Sequence, residues 1–292
     1  MIRLIVTTLL LVVTGTVNAQ LNVVATTSNM GMLVDTVGGP HVATRVLAPP
    51  NRDTHYLDVR PNMMTALRGA DLVVSVGAEL EIGWLPPAID GAANPRLQPG
   101  NSGYFEAAAQ VQRVHNHVHA DRSQGDVHPQ GNPHVYLDPV RMGRIAVTLA
   151  ERMADLDPDN AGTYRGNAER FRDQAQEHVA RWQEQAHNAP GVVLYHEDAD
   201  YLLERLGIAV LGFLEPVPGV PPTGSHLRRM VNELDGHDGV IIRYPYQSER
   251  HTGFLAGRLG WKVHELMPDV EVGGDADDYF ALLQHWVDTI AR

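Results

Sequence analysis

The sequence predicts an α/β protein of two lobes joined by one long rigid helix. Three observations carry that prediction. Strand and helix patterns alternate from residue 21 to 77, a capped helical stretch fills residues 138–187, and the alternation resumes at residue 192. Alternation of this kind implies a mostly parallel sheet with helices on both faces. The 292 residues, 43% hydrophobic and 20% charged, have the length and balance of two ordinary globular domains.

Residues 1–19 read as a secretory signal peptide. Arg3 precedes an apolar run, and Val17-Asn18-Ala19 is small at the two positions a signal peptidase reads, so cleavage is expected after Ala19. The run of about 14 apolar residues falls short of the ~20 that span a bilayer. No cysteine follows the cleavage site, which excludes a lipidated cysteine and favours the periplasm. Residues 21–27 form a β-branched run, 30–37 a short helix, 42–47 a second strand, 62–68 a helix and 71–76 a buried strand ending at Gly77. Periodicity then fades, and residues 92–131 read as loop.

Asp138-Pro139 opens a helix, since Asp caps exposed amides and Pro suits the first helical position. Asp157-Pro158 repeats the signal for a second helix reaching about residue 187. Its stripe of Tyr164, Ala168, Phe171, Ala175, Val179 and Trp182 recurs every three or four residues, as in a helix packed along its length. At ~1.5 Å per residue that helix would run about 45 Å, the span of a lobe. Residues 192–195, 208–213, 240–243 and 261–266 read as strands, with helices between them and from residue 276 onward. The resulting division is an N-terminal lobe over residues 20–138 with a His-rich loop at about 115–128, linking helices over 139–188, and a C-terminal lobe over 189–292.

The formal net charge of −12 argues against a nucleic-acid partner or a polybasic membrane anchor. Cysteine is absent, so there is no disulfide, thiolate metal site or cysteine nucleophile. Histidine, at 15, is the unusual number, and any transition metal must be held by imidazoles and carboxylates. Three histidines follow a strand or loop at the end of an α/β unit, where ligands of such sheets collect: His55 in NRDTHYLD beyond the second strand, His134 in GNPHVYLDP just before the linking helices, and His196 in VVLYHEDADY at the end of the second lobe's first strand. Singly, each reads as an ordinary hydrogen-bonded residue. Jointly, two from one lobe and one from the other would converge on a cleft. A second cluster, His115, His117 and His119 followed by His128, is an accessory metal loop by composition, or else an insertion whose histidines do nothing.

These segments resemble, in order and spacing, the metal-binding proteins of ABC importers in the zinc/manganese cluster, and the high-affinity periplasmic zinc-binding family within it. VVATTSNMG, VLAPPNRDTHYLDVRP, ADLVVSVGAELEIGWL, GNPHVYLDP, YHEDADYLLERLGI and EPVPGVPPTGSHL carry the resemblance across the whole mature chain. It implies two Rossmann-like lobes with metal in the interlobe cleft, held by residues matching His55, His134 and His196. Manganese-preferring members tend to carry a carboxylate where this chain has His196, so three imidazoles favour Zn2+ over Mn2+ as the transported ligand. The family's fourth ligand is an aspartate just after the last strand, a place nearest here to Met267. Asp269, Glu215 and a water are equal candidates for it.

The resemblance implies capture of periplasmic zinc and its delivery to an ABC permease with its ATPase, by a monomer, with a periplasmic metallochaperone as a further partner. Two other readings compete. One is a zinc buffer or metallochaperone without a permease. The other is a secreted zinc hydrolase, since three histidines and an open position also describe catalytic zinc. Glu197 beside His196 would be its base, but the sequence holds neither H-E-x-x-H nor G-x-S-x-G.

Overall fold

The computed structural model describes residues 20–114 and 127–292. The expected signal peptide and His115, His117 and His119 lie outside the described residues. The described chain is two parallel-sheet α/β lobes. Strands β1 (Leu21–Ala25), β2 (Val42–Val46), β3 (Leu72–Ser75) and β4 (Tyr104–Glu106) make one sheet in the order β2-β1-β3-β4. Strands β5 (Gly191–Leu194), β6 (Val210–Phe213), β7 (Gly239–Arg243) and β8 (Lys262–Glu265) make the other in the order β6-β5-β7-β8. Every pairing is parallel. The order reverses at β1 and at β5, so the crevice beyond the carboxyl ends of these strands is where each lobe can receive a ligand.

Helices α1 (Ser28–Gly38), α2 (Pro61–Arg68) and α3 (Leu85–Ala92) belong to the first lobe, and α4 (Pro139–Leu156) and α5 (Ala161–Gln185) form the link. Helices α6 (Asp200–Leu206), α7 (Gly224–Leu234), α8 (Glu249–Leu259) and α9 (Ala276–Ile290) belong to the second. Asp138 caps α4, its carboxylate accepting from the Val140 amide at 3.0 Å, with Pro139 in the first turn. The same carboxylate accepts from Arg141 and from Arg205 of α6. One cap residue thus ties the link to the second lobe.

The full stripe expected on α5 is buried. That helix packs on α1 of the first lobe, on α6 and α9 of the second, and along α4. A single apolar core therefore runs from β1 and α1 through the link into α6 and α9. Separate cores close the outer faces, around Val73 and Trp84 in one lobe and Ile241 and Leu255 in the other. No helix among the described residues is long and apolar enough to cross a membrane.

Three sequence readings need correction. The strut is shorter than expected, since α5 spans 25 residues, about 37 Å at the helical rise. A three-residue helical turn, Pro158–Asn160, takes up the start. Helix α3 was not anticipated, because LPPAIDGA opens on two prolines that suit a first turn yet mask helical periodicity. Strand β4 falls within the stretch read as loop. With three residues and only Phe105 buried, it offers no alternation to detect.

Candidate metal centre

Four imidazoles converge where the two lobes face each other. His55, His128, His134 and His196 each offer a ring nitrogen, and the four atoms lie within 4.8 Å of one another. His55 Nε2 and His128 Nε2 stand 3.2 Å apart. That separation is close to the edge, about 3.3 Å, of a tetrahedron whose arms are Zn–N bonds of about 2.0–2.1 Å. His128, His134 and His196 are buried, and His55 is half-buried.

His55 sits in the loop between β2 and α2, which is pinned by a hydrogen bond from Trp84 Nε1 to the Thr54 carbonyl at 2.8 Å. Asp53 Oδ1 accepts from the His55 amide at 3.0 Å and from its Nδ1 at 2.7 Å. Asn132 repeats that arrangement two residues before His134. Its Oδ1 accepts from the His134 amide at 2.9 Å and from Nδ1 at 2.7 Å. Its Nδ2 crosses to the second lobe and donates to the Glu197 carbonyl at 2.5 Å. His128 is brought near by a turn in which the Gly131 amide donates to the His128 carbonyl at 2.9 Å, with Gly131 at φ 99°. Only glycine takes that backbone conformation without strain.

His196 is the second residue past β5, the central strand at which the sheet order reverses. Glu215 is the second past β6, and its amide continues the ladder to the Tyr195 carbonyl at 3.0 Å. Its Oε2 accepts from His196 Nδ1 at 3.1 Å and from the Gly219 amide at 2.8 Å. His196 Nε2 is buried and has no hydrogen-bond partner. Fixing Nδ1–H on three rings leaves the three Nε2 lone pairs for a cation, which is how outer partners orient metal-binding histidines.

Burial holds the His134 pKa well below 6.5, helped by the charges of His196, His55 and His128. Burial pushes His196 the same way, but its hydrogen bond to Glu215 and the nearby Asp198, Glu215 and Glu197 charges outweigh that and lift it to about 9. For Asp53 the penalty of burial is overcome by its bonds to His55, and its pKa falls below the usual carboxylate value. The group therefore pairs a neutral imidazole with a protonated one, and a cation must displace that proton.

Of the residues singled out in the sequence, His55, His134 and His196 come together, and His128 joins them rather than an accessory loop. Glu215 binds a ring nitrogen of His196 instead of standing among the four donors. Asp269 lies on the wall of the same cavity, of about 340 Å³, as His55, His134 and His196, but outside the four. Asp53 and Asn132 were not anticipated. Their signal was present, an acidic or amide side chain two residues before a candidate histidine in both DTH and NPH.

The model of the family described as "Zinc-uptake complex component A periplasmic" matches residues 23–292. The high-affinity zinc uptake system protein ZnuA of Yersinia pestis is 25% identical over 239 residues, 77% of this chain and 75% of that one. The crystal structure of a ZnuA superposes with a TM-score of 0.78 at 20% identity, covering 93% of this chain and 98% of the other. The substrate-binding protein FpvC of Pseudomonas aeruginosa, solved with Mn2+, superposes with a TM-score of 0.77 at 23% identity, covering 94% and 97%. At these identities the two structures speak for the fold alone.

Proposed function

This chain belongs to the family of periplasmic zinc-uptake components, and from that premise we propose that it captures zinc in the periplasm and delivers it to an ABC permease with its ATPase. The family is one of metal-binding transport components, not of enzymes. Zinc is the cargo, and His55, His128, His134 and His196 are its ligands. The observation that carries this reading is the convergence of four imidazole nitrogens, three of them with the opposite ring nitrogen committed to a hydrogen-bond acceptor. Imidazole suits zinc better than it suits manganese, for which oxygen donors are preferred. Four nitrogen donors also fill a tetrahedral shell, leaving no position for the water that a zinc hydrolase activates.

Export through the signal peptide at residues 1–19 places the mature protein on the same side of the membrane as its cargo. We take it to act as a monomer, a reading supported by a cleft that both lobes of one chain line. A metallochaperone that hands over zinc would act at the mouth of that cleft. The test is metal analysis of protein purified from the periplasm, followed by chelator competition on wild type and His128→Ala. One tight zinc per chain is expected, with affinity lower in the variant by more than about a hundredfold, beyond what an outer-partner change costs. Wild-type affinity in His128→Ala would remove it from the ligand set. A tight manganese in place of zinc would overturn the cargo.

A further inference from the structure

Asp269 is a buried carboxylate on the wall of the metal cavity, yet it is engaged elsewhere. Its Oδ1 accepts from the backbone amide of Asn29 at 3.0 Å. Asn29 is the second residue of α1, where the amides of the first turn have no partner inside the helix and the helix presents its positive pole. The neighbouring cap is already made, since Thr27 Oγ1 accepts from the Met30 amide at 3.3 Å. Asp269 therefore supplies across the cleft the acceptor that α1 lacks at Asn29.

The side chain of Asn29 completes the joint. Its Nδ2 donates to the Pro268 carbonyl at 2.9 Å, and its Oδ1 accepts from the Val270 amide at 3.2 Å. The amide thus pairs in both directions with the backbone on either side of Asp269, as an adjacent strand would. Asn29 is fully buried, and the two partners are about 240 residues apart in sequence. Three hydrogen bonds converge on one aspartate and its neighbours. A structural tether alone needs no carboxylate, and this one faces a cation site.

We propose that Asn29 is a specificity-determining residue: it latches the Asp269 segment to α1, keeps the carboxylate out of the metal's coordination shell, and so holds the site to imidazole donors. The inference rests on the four-imidazole reading of the site. An oxygen donor suits manganese better than a nitrogen donor does, so a free carboxylate beside the histidines would narrow the preference for zinc. The latch keeps a fifth donor within the cavity and unavailable.

The experiment measures zinc and manganese affinities of the full mature chain by competition, for wild type, Asn29→Ala, Asp269→Asn and the double variant. Asp269→Asn keeps the oxygen that accepts from the Asn29 amide, and it is expected to bind zinc as wild type does. Asn29→Ala removes the two side-chain bonds that hold Pro268 and Val270, leaving only the backbone-amide bond to Asp269, and is expected to raise manganese affinity relative to zinc about tenfold, the scale of outer-partner effects at metal sites. The double variant should return to the wild-type ratio, a result that a merely structural role for Asn29 would not give. Loss of zinc in Asp269→Asn would overturn the proposal, because the carboxylate would then be a ligand already. An unchanged metal ratio in a folded Asn29→Ala would overturn it too. Should Asn29→Ala not fold, Asn29→Asp takes its place: it keeps an acceptor for the Val270 amide, loses the donor to the Pro268 carbonyl, and is expected to shift the metal ratio the same way, an unchanged ratio again overturning the proposal. Failure of the four-imidazole reading shows separately, as wild-type zinc affinity in His128→Ala.

Discussion

The two lobes orient their histidines in different ways. On the first-lobe side the acceptor is local: Asp53 and Asn132 each lie two residues before the histidine they hold, and each takes both its amide and its Nδ1 hydrogen. On the second-lobe side the acceptor is distant: Glu215 lies 19 residues beyond His196 and reaches it only because β5 and β6 are neighbours. A local acceptor fixes the ring before the lobes meet. A distant one makes the ring's orientation depend on the sheet. The lobes also differ in charge, for Glu197, Asp198 and Glu215 gather around His196, whereas His134 has a neutral amide as its partner.

The largest effects should come from the donors themselves. His55→Ala, His134→Ala and His196→Ala are each expected to lower zinc affinity by more than about a hundredfold, beyond the cost of losing an outer partner. Chelator competition measures it, and circular dichroism should find the fold intact, since the shared core contains none of the three. A variant among them that kept wild-type affinity would place its histidine outside the shell.

Next in size is the contrast between local and distant acceptors. Asn132→Ala removes both the acceptor for His134 and the bond to the Glu197 carbonyl, so it loosens both sides at once. It should cost about tenfold to a hundredfold in zinc affinity, with Asp53→Ala and Glu215→Ala in the same range or below it. If Asn132→Ala proved the mildest of the three, its bond across the lobes would not contribute to binding.

A pH series separates the lobes by charge. His196 titrates at about 9 in the metal-free protein, above the ordinary 6.5, so it is protonated at neutral pH and zinc must expel that proton. Affinity should rise by about tenfold per unit from pH 7 to 9 and level off above that. The sign for the metal-free fold is opposite. A raised histidine pKa stabilises the folded state fully below about 6.5, and that contribution is lost as pH climbs through about 9. Heat unfolding of the metal-free protein should therefore come earlier at pH 9 than at pH 6.5. Glu215→Gln keeps an acceptor without the charge, so both slopes should flatten. Slopes unchanged by that substitution would assign the expelled proton to another group.

The same contrast explains what could be read from the sequence. The alternating elements, the capped link and the stripe on α5 were legible because each is local, a matter of spacing within one segment. His55 and His196 were legible by their positions at or past strand ends, His134 by its place just before the linking helices, and all three by their match to a known family. His128 was assigned to an accessory loop because its place depends on how residues 127–134 turn back toward β2, which no local pattern states. Glu215 was legible as a carboxylate at a strand end but not as the partner of His196, because that pairing is made by sheet order. Asn29 carried no signal at all, since its partners lie at the other end of the chain.

The smallest expected effect is in overall shape, and it tests whether the lobes can act apart. The α5 helix packs on elements of both lobes, and one apolar core passes from the first lobe through the link to the second. Wide opening about a hinge would expose that core, with a cost that grows by roughly 25 cal/mol for each Å² of apolar surface uncovered. The latch between Asn29 and residues 268–270 and the bond from Asn132 to the Glu197 carbonyl resist the same motion from the cleft side. Small rocking and loop rearrangement remain, which are the motions that packed helices permit. The radius of gyration by solution scattering should therefore be nearly the same with and without zinc, with changes in amide exchange confined to the segments around His55, His128 and His196. A clear compaction on zinc binding would mean that the shared core does not hold the lobes together in solution.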